Sequence, residues 1–434
     1  MKKVAVLLLI LLILCNTSAA FAAELTIDDL EEKGIYIYEL SSETPVYAKD
    51  EQKRFYPASI TKIVTALCAL DYADINERIT IGEEIFEIDS DSSVSDLIVG
   101  ESMTLKELLY GLLLPSGNDA ANTIAVHIAE KLGQNGTTYS KIAFFADLMN
   151  EKASSLGAVD SHFVNPHGLH DDEHYTTPYD VYLFGRAAIE NETLAEIVSQ
   201  SFCYVTTEKA DHEWLNSNML LQPSYDPIPY TDKTGPNPTY MSEVLGIKTG
   251  NTEEAGRTIV TYSKFGGMQI ITVVLKSTKE DLFIDAKATI EHVTDNYTLR
   301  TYANYGEIYD TFHILNNASD DAKTLAVTPE KDAVYLAPKA TAEDLVLAVS
   351  YDESIFGRLF NEQYILKKDI DSKEAVGTLT LSNAEGTVVF ETRLIAVNPV
   401  QADQYFIHRI LAVFGVLIVI LFALFRQIKK KKRA

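Results

Sequence analysis

The sequence predicts an α/β protein whose helices pack on a mostly antiparallel sheet, followed by a small all-β domain and a C-terminal transmembrane helix. Three observations predict this class. Residues 23–298 show apolar residues at strand spacing, then at helical spacing, then at strand spacing again. Short strand-like runs divided by turn residues follow in residues 300–400. An apolar segment at residues 405–425 then precedes a basic tail at 426–434.

Residues 1–22 have the pattern of a secretory signal peptide. Lys2 and Lys3 precede an apolar run at residues 4–15, and small residues stand at −3 and −1 of a cleavage site before Ala23. An uncleaved anchor is disfavoured because this run is short for a membrane span. A lipoprotein signal is disfavoured because a bulky leucine precedes the cysteine.

The domain that follows begins with strands and continues with helices. Residues 34–49 predict a β-hairpin, and the apolar residues after Pro57 recur at helical spacing. Residues 104–114 and 118–132 predict two further helices on either side of a Pro-Ser-Gly turn. We expect these helices to pack on one face of the sheet.

The chain returns to strands before the end of this domain. Residues 257–262 and 268–275 are β-branched and apolar, and a Gly-Gly pair joins them, so they predict two paired strands, while residues 281–297 predict a helix. The all-β domain is predicted from four runs, at residues 333–336, 345–351, 376–381 and 388–397. That domain shows no cluster of chemically reactive residues, and we interpret it as a spacer or docking module.

The C-terminal segment predicts a membrane anchor. Residues 410–425 contain no polar side chain, and the 21 residues of 405–425 would rise ~31 Å as a helix, enough to cross a hydrocarbon core. The run is apolar on every face, unlike an interfacial helix. Arg426 and the basic cluster at 429–433 place the C-terminus in the cytoplasm by the positive-inside rule, and therefore the body outside the cell.

The net charge separates the body from these two ends. The chain of 434 residues carries −25, whereas residues 23–408 hold 28 basic and 62 acidic side chains and carry −34. A body this acidic argues against a nucleic-acid partner, because phosphate neutralisation needs clustered Lys and Arg. Two cysteines remain after signal removal; one bridge is possible, but Cys68 lies in an apolar helical run, which favours a buried free thiol over pairing with Cys203.

Ser59 and Lys62 are candidates for a nucleophile and its base. Three residues is nearly one helical turn, so the hydroxyl and the amine share a face. Serine needs a base, and a desolvated lysine beside another cation can lose its proton and serve. Alone the pattern is common by chance, and it is equally typical of an N-capping serine with an exposed lysine.

Two further motifs raise the first one above chance. Ser116-Gly117-Asn118 lies in the turn between two predicted helices, where it can project a hydroxyl and an amide into a cleft. Lys248-Thr249-Gly250 precedes the predicted strand pair, and Gly250 would let a substrate backbone lie close against the strand. The three motifs in this order match the signature of the penicillin-recognising serine enzymes. A second Lys-Thr-Gly at residues 233–235 lies among prolines without a strand pattern, and we interpret it as a loop.

The sequence segments around the three motifs are typical of one protein family. They are residues 56–67 (YPASITKIVTAL), 114–121 (LPSGNDAA), 163–169 (FVNPHGL), 174–177 (HYTT) and 246–252 (GIKTGNT). Together they resemble the serine-type D-alanyl-D-alanine carboxypeptidases, the low-molecular-mass penicillin-binding proteins. The resemblance covers about residues 33–400, and it implies a transpeptidase/β-lactamase-like domain, no cofactor, and a peptidoglycan stem peptide as substrate.

The resemblance implies a role for each residue of the first two motifs. Ser59 would attack the carbonyl of the penultimate D-Ala, and Lys62 would take the serine proton. Ser116 would relay protons toward the leaving amine, and Asn118 would orient the substrate and Lys62. β-Lactams would acylate Ser59 because they imitate the D-Ala-D-Ala end.

The third motif would bind the substrate. Lys248 would keep Lys62 deprotonatable and attract the substrate carboxylate, with Thr249 binding it. Backbone N–H groups of Ser59 and Asn251 would form the oxyanion hole. One departure affects this role: relatives often carry a basic residue where the segment at 216–221 has Ser217, and a Pro-rich insertion follows at 222–245. The preference for a substrate carboxylate is therefore left open.

Three rival functions remain. His167, His170 and His174 suggest a metallopeptidase, but their spacing fits no helical zinc motif. A class A β-lactamase resembles the motif trio, and Glu213 stands near the position of its deacylating glutamate, one residue short. A catalytically weak penicillin-binding sensor or scaffold would carry the same motifs.

Overall fold

The structure, a computed structural model, describes residues 30, 33–90, 92–226, 233–318, 324–340, 345–358 and 363–431. The signal peptide predicted for residues 1–22 lies outside the described residues. The chain divides into two compact units, Met1–Asp295 and Asn296–Ala434.

The first unit mixes strands and helices as the sequence predicts. In chain order its elements are β1 (Gly34–Glu39), β2 (Thr44–Lys49), α1 (Thr61–Tyr72), β3 (Arg78–Thr80), β4 (Ser102–Thr104), α2 (Leu105–Leu113), α3 (Asn118–Lys131), α4 (Thr138–Ser155), α5 (Pro178–Glu190), α6 (Glu192–Val198), β5 (Phe202–Thr206), β6 (Asp211–Leu215), β7 (Val244–Thr252), β8 (Gly256–Phe265), β9 (Met268–Ser277) and, ending at the boundary, α7 (Leu282–Asn296). Short 3₁₀ turns stand at Ala58–Ile60, Glu83–Phe86 and Met219–Leu221.

An antiparallel sheet in the order β2-β1-β9-β8-β7 is the frame of this unit. The predicted hairpin at residues 34–49 is β1–β2, and the predicted strand pair is β8–β9. Gly266 and Gly267 join that pair with φ of 57° and 87°, which a tight hairpin turn needs and glycine adopts without strain. The third motif lies in β7, at the end of this strand order.

Helix α1 lies at the centre of the helical block. Residues 61–69 are all buried, and the helix contacts α2, α3, α4 and α5. α2 begins at a capping box, in which the Thr104 side chain accepts from the backbone N–H of Glu107 and the Glu107 carboxylate accepts from that of Thr104. Both described cysteines are free: Cys68 is buried in α1, and Cys203 is partly exposed on β5.

The second unit is strand-rich, as predicted, and ends in a long helix. Its elements are β10 (Tyr297–Ala303), β11 (Asp310–His313), β12 (Thr324–Pro329), β13 (Ala333–Pro338), β14 (Val346–Tyr351), β15 (Phe356–Arg358), β16 (Tyr364–Leu366), β17 (Ala375–Ser382), β18 (Val388–Ala396) and α8 (Phe406–Lys431). An antiparallel sheet in the order β11-β12-β18-β17-β14 carries its core, where the Phe312 ring packs against Tyr351, Phe356 and Tyr364. Within the described residues α8 contains one segment, Phe406–Lys429, that is long and apolar enough to cross a membrane, and it is not buried in the protein.

Candidate active site

Ser59 lies in a short 3₁₀ turn that leads into α1. Ala58 has φ of 49°, in the left-handed region that a residue with a side chain adopts only when its surroundings enforce it. The surroundings do so here: the Thr258 hydroxyl donates to the Pro57 carbonyl at 3.0 Å, and Ala58 and Ile60 on either side are buried. Ser59 itself remains partly exposed. The turn therefore holds Ser59 between two buried neighbours and leaves its side chain partly exposed.

Lys62 is the second residue of α1, about one helical turn after Ser59; it is fully buried and contacts Ser59. Its Nζ lies 2.8 Å from Ser59 Oγ, 2.7 Å from Asn118 Oδ1 and 2.8 Å from the His167 carbonyl oxygen. The last two atoms can only accept hydrogen bonds. A neutral amine has two N–H groups, which these acceptors take, and its lone pair then faces the Ser59 hydroxyl. The geometry therefore suits Lys62 to accept the serine proton.

The electrostatic surroundings favour that neutral amine. Burial, and next to it the charge of Lys248, hold the pKa of Lys62 well below the ordinary lysine value. Asp119 acts in the opposite direction. The Asp119 carboxylate is itself committed to backbone N–H groups of Ser95 and Leu97, at 2.8–3.1 Å, which fix the loop beside α3.

The second motif forms the predicted turn between α2 and α3. Ser116 is buried with φ of 70°, and Asn118 is the first residue of α3, with its backbone N–H bonded to the Ser93 carbonyl at 2.8 Å. Asn118 thus meets Lys62 directly. Among the described residues, no hydrogen bond joins the Ser116 hydroxyl to Ser59, Lys62 or Lys248.

The third motif lies on β7 against the Ser59 turn. A Cβ added to Gly250 would stand 2.9 Å from both the Pro57 carbonyl oxygen and the Ser59 backbone nitrogen. The glycine is therefore needed for β7 to approach the Ser59 turn. The close approach of a substrate backbone to this strand stays a prediction. Lys248 is buried beside Gly250, and its Nζ donates to the Thr249 carbonyl at 2.9 Å. Burial lowers the pKa of Lys248 to about 7.

Thr249 and Asn251 lie on the same strand, and Ser217 lies beside it. The Ser217 and Thr249 hydroxyls are 2.7 Å apart, and the Ser217 backbone N–H donates to the Leu114 carbonyl at 2.9 Å. Ser217 thus lies between β7 and the end of α2. Asn251 is exposed at the end of β7, opposite Arg257 of β8.

The segment around residues 163–176 contributes groups to which the sequence assigned no role. The His167 carbonyl accepts from Lys62, and a Cβ on Gly168, whose φ is 90°, would stand 3.0 Å from the Ser59 backbone nitrogen. His174 bonds Thr61 at 2.8 Å, while His170 packs edge-on against Tyr56. The sequence FVNPHGL at residues 163–169 drew attention to this segment. It could not reveal the contact with Lys62, because every residue type has a backbone carbonyl.

Within the part of the chain that the structure describes, Glu213 and the second Lys-Thr-Gly, at residues 233–235, make none of the contacts described above for Ser59 and Lys62. Glu213 is exposed on β6, whose opposite face buries His212 and Trp214. Residues 233–235 lie outside the strands, as predicted, with Lys233 and Thr234 exposed. The Lys233 ammonium stands 5.3 Å from the centre of the Tyr225 ring.

Known proteins are similar to this chain in sequence and in fold. A family profile described as D-alanyl-D-alanine carboxypeptidase matches residues 21–279. A D-alanyl-D-alanine carboxypeptidase of Streptomyces sp. strain K15 is 30% identical over 255 residues, 56% of this chain and 80% of the relative. D-alanyl-D-alanine carboxypeptidase DacF of Bacillus subtilis strain 168 is 28% identical over 56% of this chain and 57% of the relative. Penicillin binding protein 5 from Haemophilus influenzae has a similar fold, with a TM-score of 0.63 at 21% identity over 85% of this chain and 97% of that one.

Proposed function

Because the chain belongs to the D-alanyl-D-alanine carboxypeptidase family, we propose that it removes the terminal D-Ala from peptidoglycan stem pentapeptides through an acyl-enzyme on Ser59. The observation that carries this proposal is the contact of the buried Lys62 amine with Ser59 Oγ at 2.8 Å, with the other two partners of that amine able only to accept. This arrangement supplies a nucleophile and its base without any further group.

In the acylation step, Ser59 Oγ attacks the carbonyl carbon of the penultimate D-Ala while its proton passes to Lys62 Nζ. The C–N bond to the terminal D-Ala then breaks, and the leaving nitrogen takes a proton that Lys62 returns through Ser116. This relay requires the Ser116 hydroxyl to come within hydrogen-bond distance of Lys62 when the substrate is bound. Asn118 keeps Lys62 oriented through the 2.7 Å hydrogen bond. Water, with its proton taken by the same base, then hydrolyses the ester and releases the shortened peptide.

The strand β7 binds the substrate in this proposal. Lys248 attracts the terminal carboxylate, and the Thr249 hydroxyl donates to it, with Ser217 as the neighbour that orients this hydroxyl. Gly250 allows the close approach of the strand. The backbone N–H groups of Ser59 and Asn251 receive the oxyanion, a contribution of roughly 3–4 kcal/mol per donor in comparable acyl-transfer sites. β-Lactams enter the same site and acylate Ser59.

The test is release of D-alanine from a peptide ending in D-Ala-D-Ala by the full chain in detergent. We expect release by the wild-type protein and by Ser155→Ala, a matched change at an exposed serine of α4, and none by Ser59→Ala. Labelled penicillin should follow the same pattern. Penicillin labelling that survives Ser59→Ala would contradict the assignment of the nucleophile.

The two rival readings predict different products. A penicillin-binding sensor would be acylated at Ser59 without releasing D-alanine. A β-lactamase would destroy penicillin in many turnovers instead of holding it as a stable ester. Measuring D-alanine and hydrolysed penicillin on one preparation therefore separates the three functions.

We also propose that α8 anchors the protein in the cytoplasmic membrane with the first unit outside the cell. The apolar segment Phe406–Lys429 and the basic residues near the C-terminus support this orientation. Protease added to intact spheroplasts should digest the body and spare a C-terminal tag. Loss of the tag while the membrane is intact would show that the C-terminus lies outside the cell, which contradicts the proposed orientation.

A further inference from the structure

A row of hydrogen bonds joins the segment at residues 163–176 to the start of α1. The Thr65 hydroxyl donates to the Pro166 carbonyl at 2.6 Å, and one turn earlier Lys62 donates to the His167 carbonyl. At the end of the row, Thr61 Oγ1 lies 2.8 Å from His174 Nε2. The first two contacts hold backbone, whereas the third joins two buried side chains that the proposed reaction does not use.

The hydrogen bonds of His174 define which nitrogen carries its proton. Nδ1 accepts the backbone N–H of Val164 at 3.2 Å, so that nitrogen is unprotonated. The proton of the neutral ring is therefore on Nε2, which donates to Thr61 Oγ1. Burial lowers the pKa of His174 to about 3, so the ring is neutral at neutral pH.

Thr61 connects His174 to the turn that carries Ser59. Its hydroxyl has one proton, which it donates to the Ala58 carbonyl at 2.8 Å. The backbone N–H of Thr61 donates to the same carbonyl. Ala58 is the residue with φ of 49°. The two hydrogen bonds therefore hold the Ala58–Ser59 peptide group, and the orientation of this group sets the direction of the Ser59 side chain.

We propose that His174 is a positioning residue for the reaction, acting through the Thr61 hydroxyl on the Ala58 carbonyl to hold the left-handed turn that aims Ser59. The proposal rests on the proposed function, since it takes Ser59 as the nucleophile. Two consequences are expected. Loss of the Thr61 hydroxyl misaligns Ser59 and its backbone N–H without touching the substrate, and a serine at position 61 restores the hydroxyl and the alignment.

The test resolves penicillin acylation of the full chain into the dissociation constant of the noncovalent complex and the first-order acylation rate constant. Thr61→Val should lower the rate constant by roughly 10- to 100-fold, the cost of a small misplacement of reacting groups, and leave the dissociation constant within about twofold. Thr61→Ser should recover most of the rate. His174→Phe, which keeps a ring against Phe163 and removes both nitrogens, should slow the same step.

Thr289→Val is the matched control. Thr289 is also a fully buried helical threonine whose hydroxyl donates to the carbonyl three residues earlier, here that of Ala286 at 2.7 Å, but it lies in α7. Rates are taken per active site, so that unfolded protein lowers the amplitude alone. A wild-type rate in Thr61→Val, equal slowing in Thr289→Val, or no recovery in Thr61→Ser would each overturn the proposal. Absence of Ser59-dependent acylation in the wild-type protein would overturn the proposed function as well.

Discussion

Residues 248–250 and residues 233–235 have the same three side chains in the same order, fifteen positions apart, and their surroundings differ in every respect that matters for chemistry. The first triplet is buried in β7 and packs against the Ser59 turn. The second lies outside the strands, and its Gly235 N–H donates to Asp226 Oδ2 at 2.9 Å. Identical side chains therefore acquire different properties from the backbone that carries them.

Burial is the physical source of the difference. In β7 the Lys248 ammonium loses hydration, so its pKa falls to about 7, and it acts on Lys62 through a medium of low polarity. Lys233 is exposed, where water and salt screen its charge. The strand context, rather than the tripeptide, makes the motif a candidate site.

The largest effect is expected at the two glycines. A Cβ on Gly250 would meet the Pro57 carbonyl and the Ser59 nitrogen at 2.9 Å, so Gly250→Ala should displace the Ser59 turn and lower kcat/KM by more than about 100-fold. Nothing lies within 4 Å of the corresponding atom at Gly235, although its φ of 81° adds strain. Gly235→Ala should cost about 1 kcal/mol of unfolding free energy and leave kcat/KM within about twofold. Chemical denaturation and D-alanine release on both variants test the pair; similar activity losses would contradict it.

This contrast also shows what can be read from sequence. The strand pattern around residue 248 and its absence around residue 233 were sufficient to choose between the triplets. Likewise, β-branched runs predicted β8 and β9, and helical periodicity predicted α1, α2 and α3. The sequence patterns did not indicate α4, α5, α6 or the hairpin β5–β6. That hairpin depends on distant contacts such as the hydrogen bond from Trp214 Nε1 to the Ser95 carbonyl at 3.0 Å.

The same division applies to the site. Motif order indicated Ser59, Lys62 and Asn118, and in the structure Lys62 forms hydrogen bonds with both Ser59 and Asn118. The motifs did not indicate the third hydrogen-bond partner of Lys62. This partner is the backbone carbonyl of His167, 105 residues away, and a residue of any type would provide the same group. The role of Gly250 was similarly hidden, since close contact between β7 and the Ser59 turn is a tertiary property.

Substitution of Lys248 and of Lys233 should change kcat/KM to very different extents, almost as different as for Gly250 and Gly235. Lys248→Ala removes the proposed partner of the substrate carboxylate, and interactions with charged groups contribute about 1.5–3 kcal/mol, so kcat/KM should fall by roughly 10- to 150-fold. Lys233→Ala removes an exposed cation from the Tyr225 ring and should leave kcat/KM unchanged within error. Steady-state kinetics on both variants measures this difference. An effect of Lys233→Ala as large as that of Lys248→Ala would remove the functional distinction between the triplets.

The pH dependence of the reaction should report the protonation of Lys248. Lys248 is a cation below its pKa of about 7 and neutral above it, so kcat/KM for a carboxylate-terminated peptide should fall by about tenfold from pH 6 to pH 8. Lys62 acts in the opposite sense, because it must lose its proton to serve as base, and it limits the acidic side. A peptide ending in D-Ala amide lacks the carboxylate and is the control. An equal alkaline decline for both peptides would exclude the interaction of Lys248 with the substrate carboxylate as its cause.

The smallest contrast is expected at the two threonines, and it bears on how this site manages without a basic residue at position 217. The Thr249 hydroxyl, paired with Ser217 at 2.7 Å, would contribute one hydrogen bond to the carboxylate in both the ground state and the transition state. Thr249→Val should therefore raise KM by roughly fivefold, the value of about 1 kcal/mol, with kcat nearly constant. Thr234→Val, at an exposed loop position, should change neither constant. A fall in kcat without a change in KM for Thr249→Val would mean that the hydroxyl acts on the reacting groups instead of the carboxylate, and the role proposed for β7 would have to be revised accordingly.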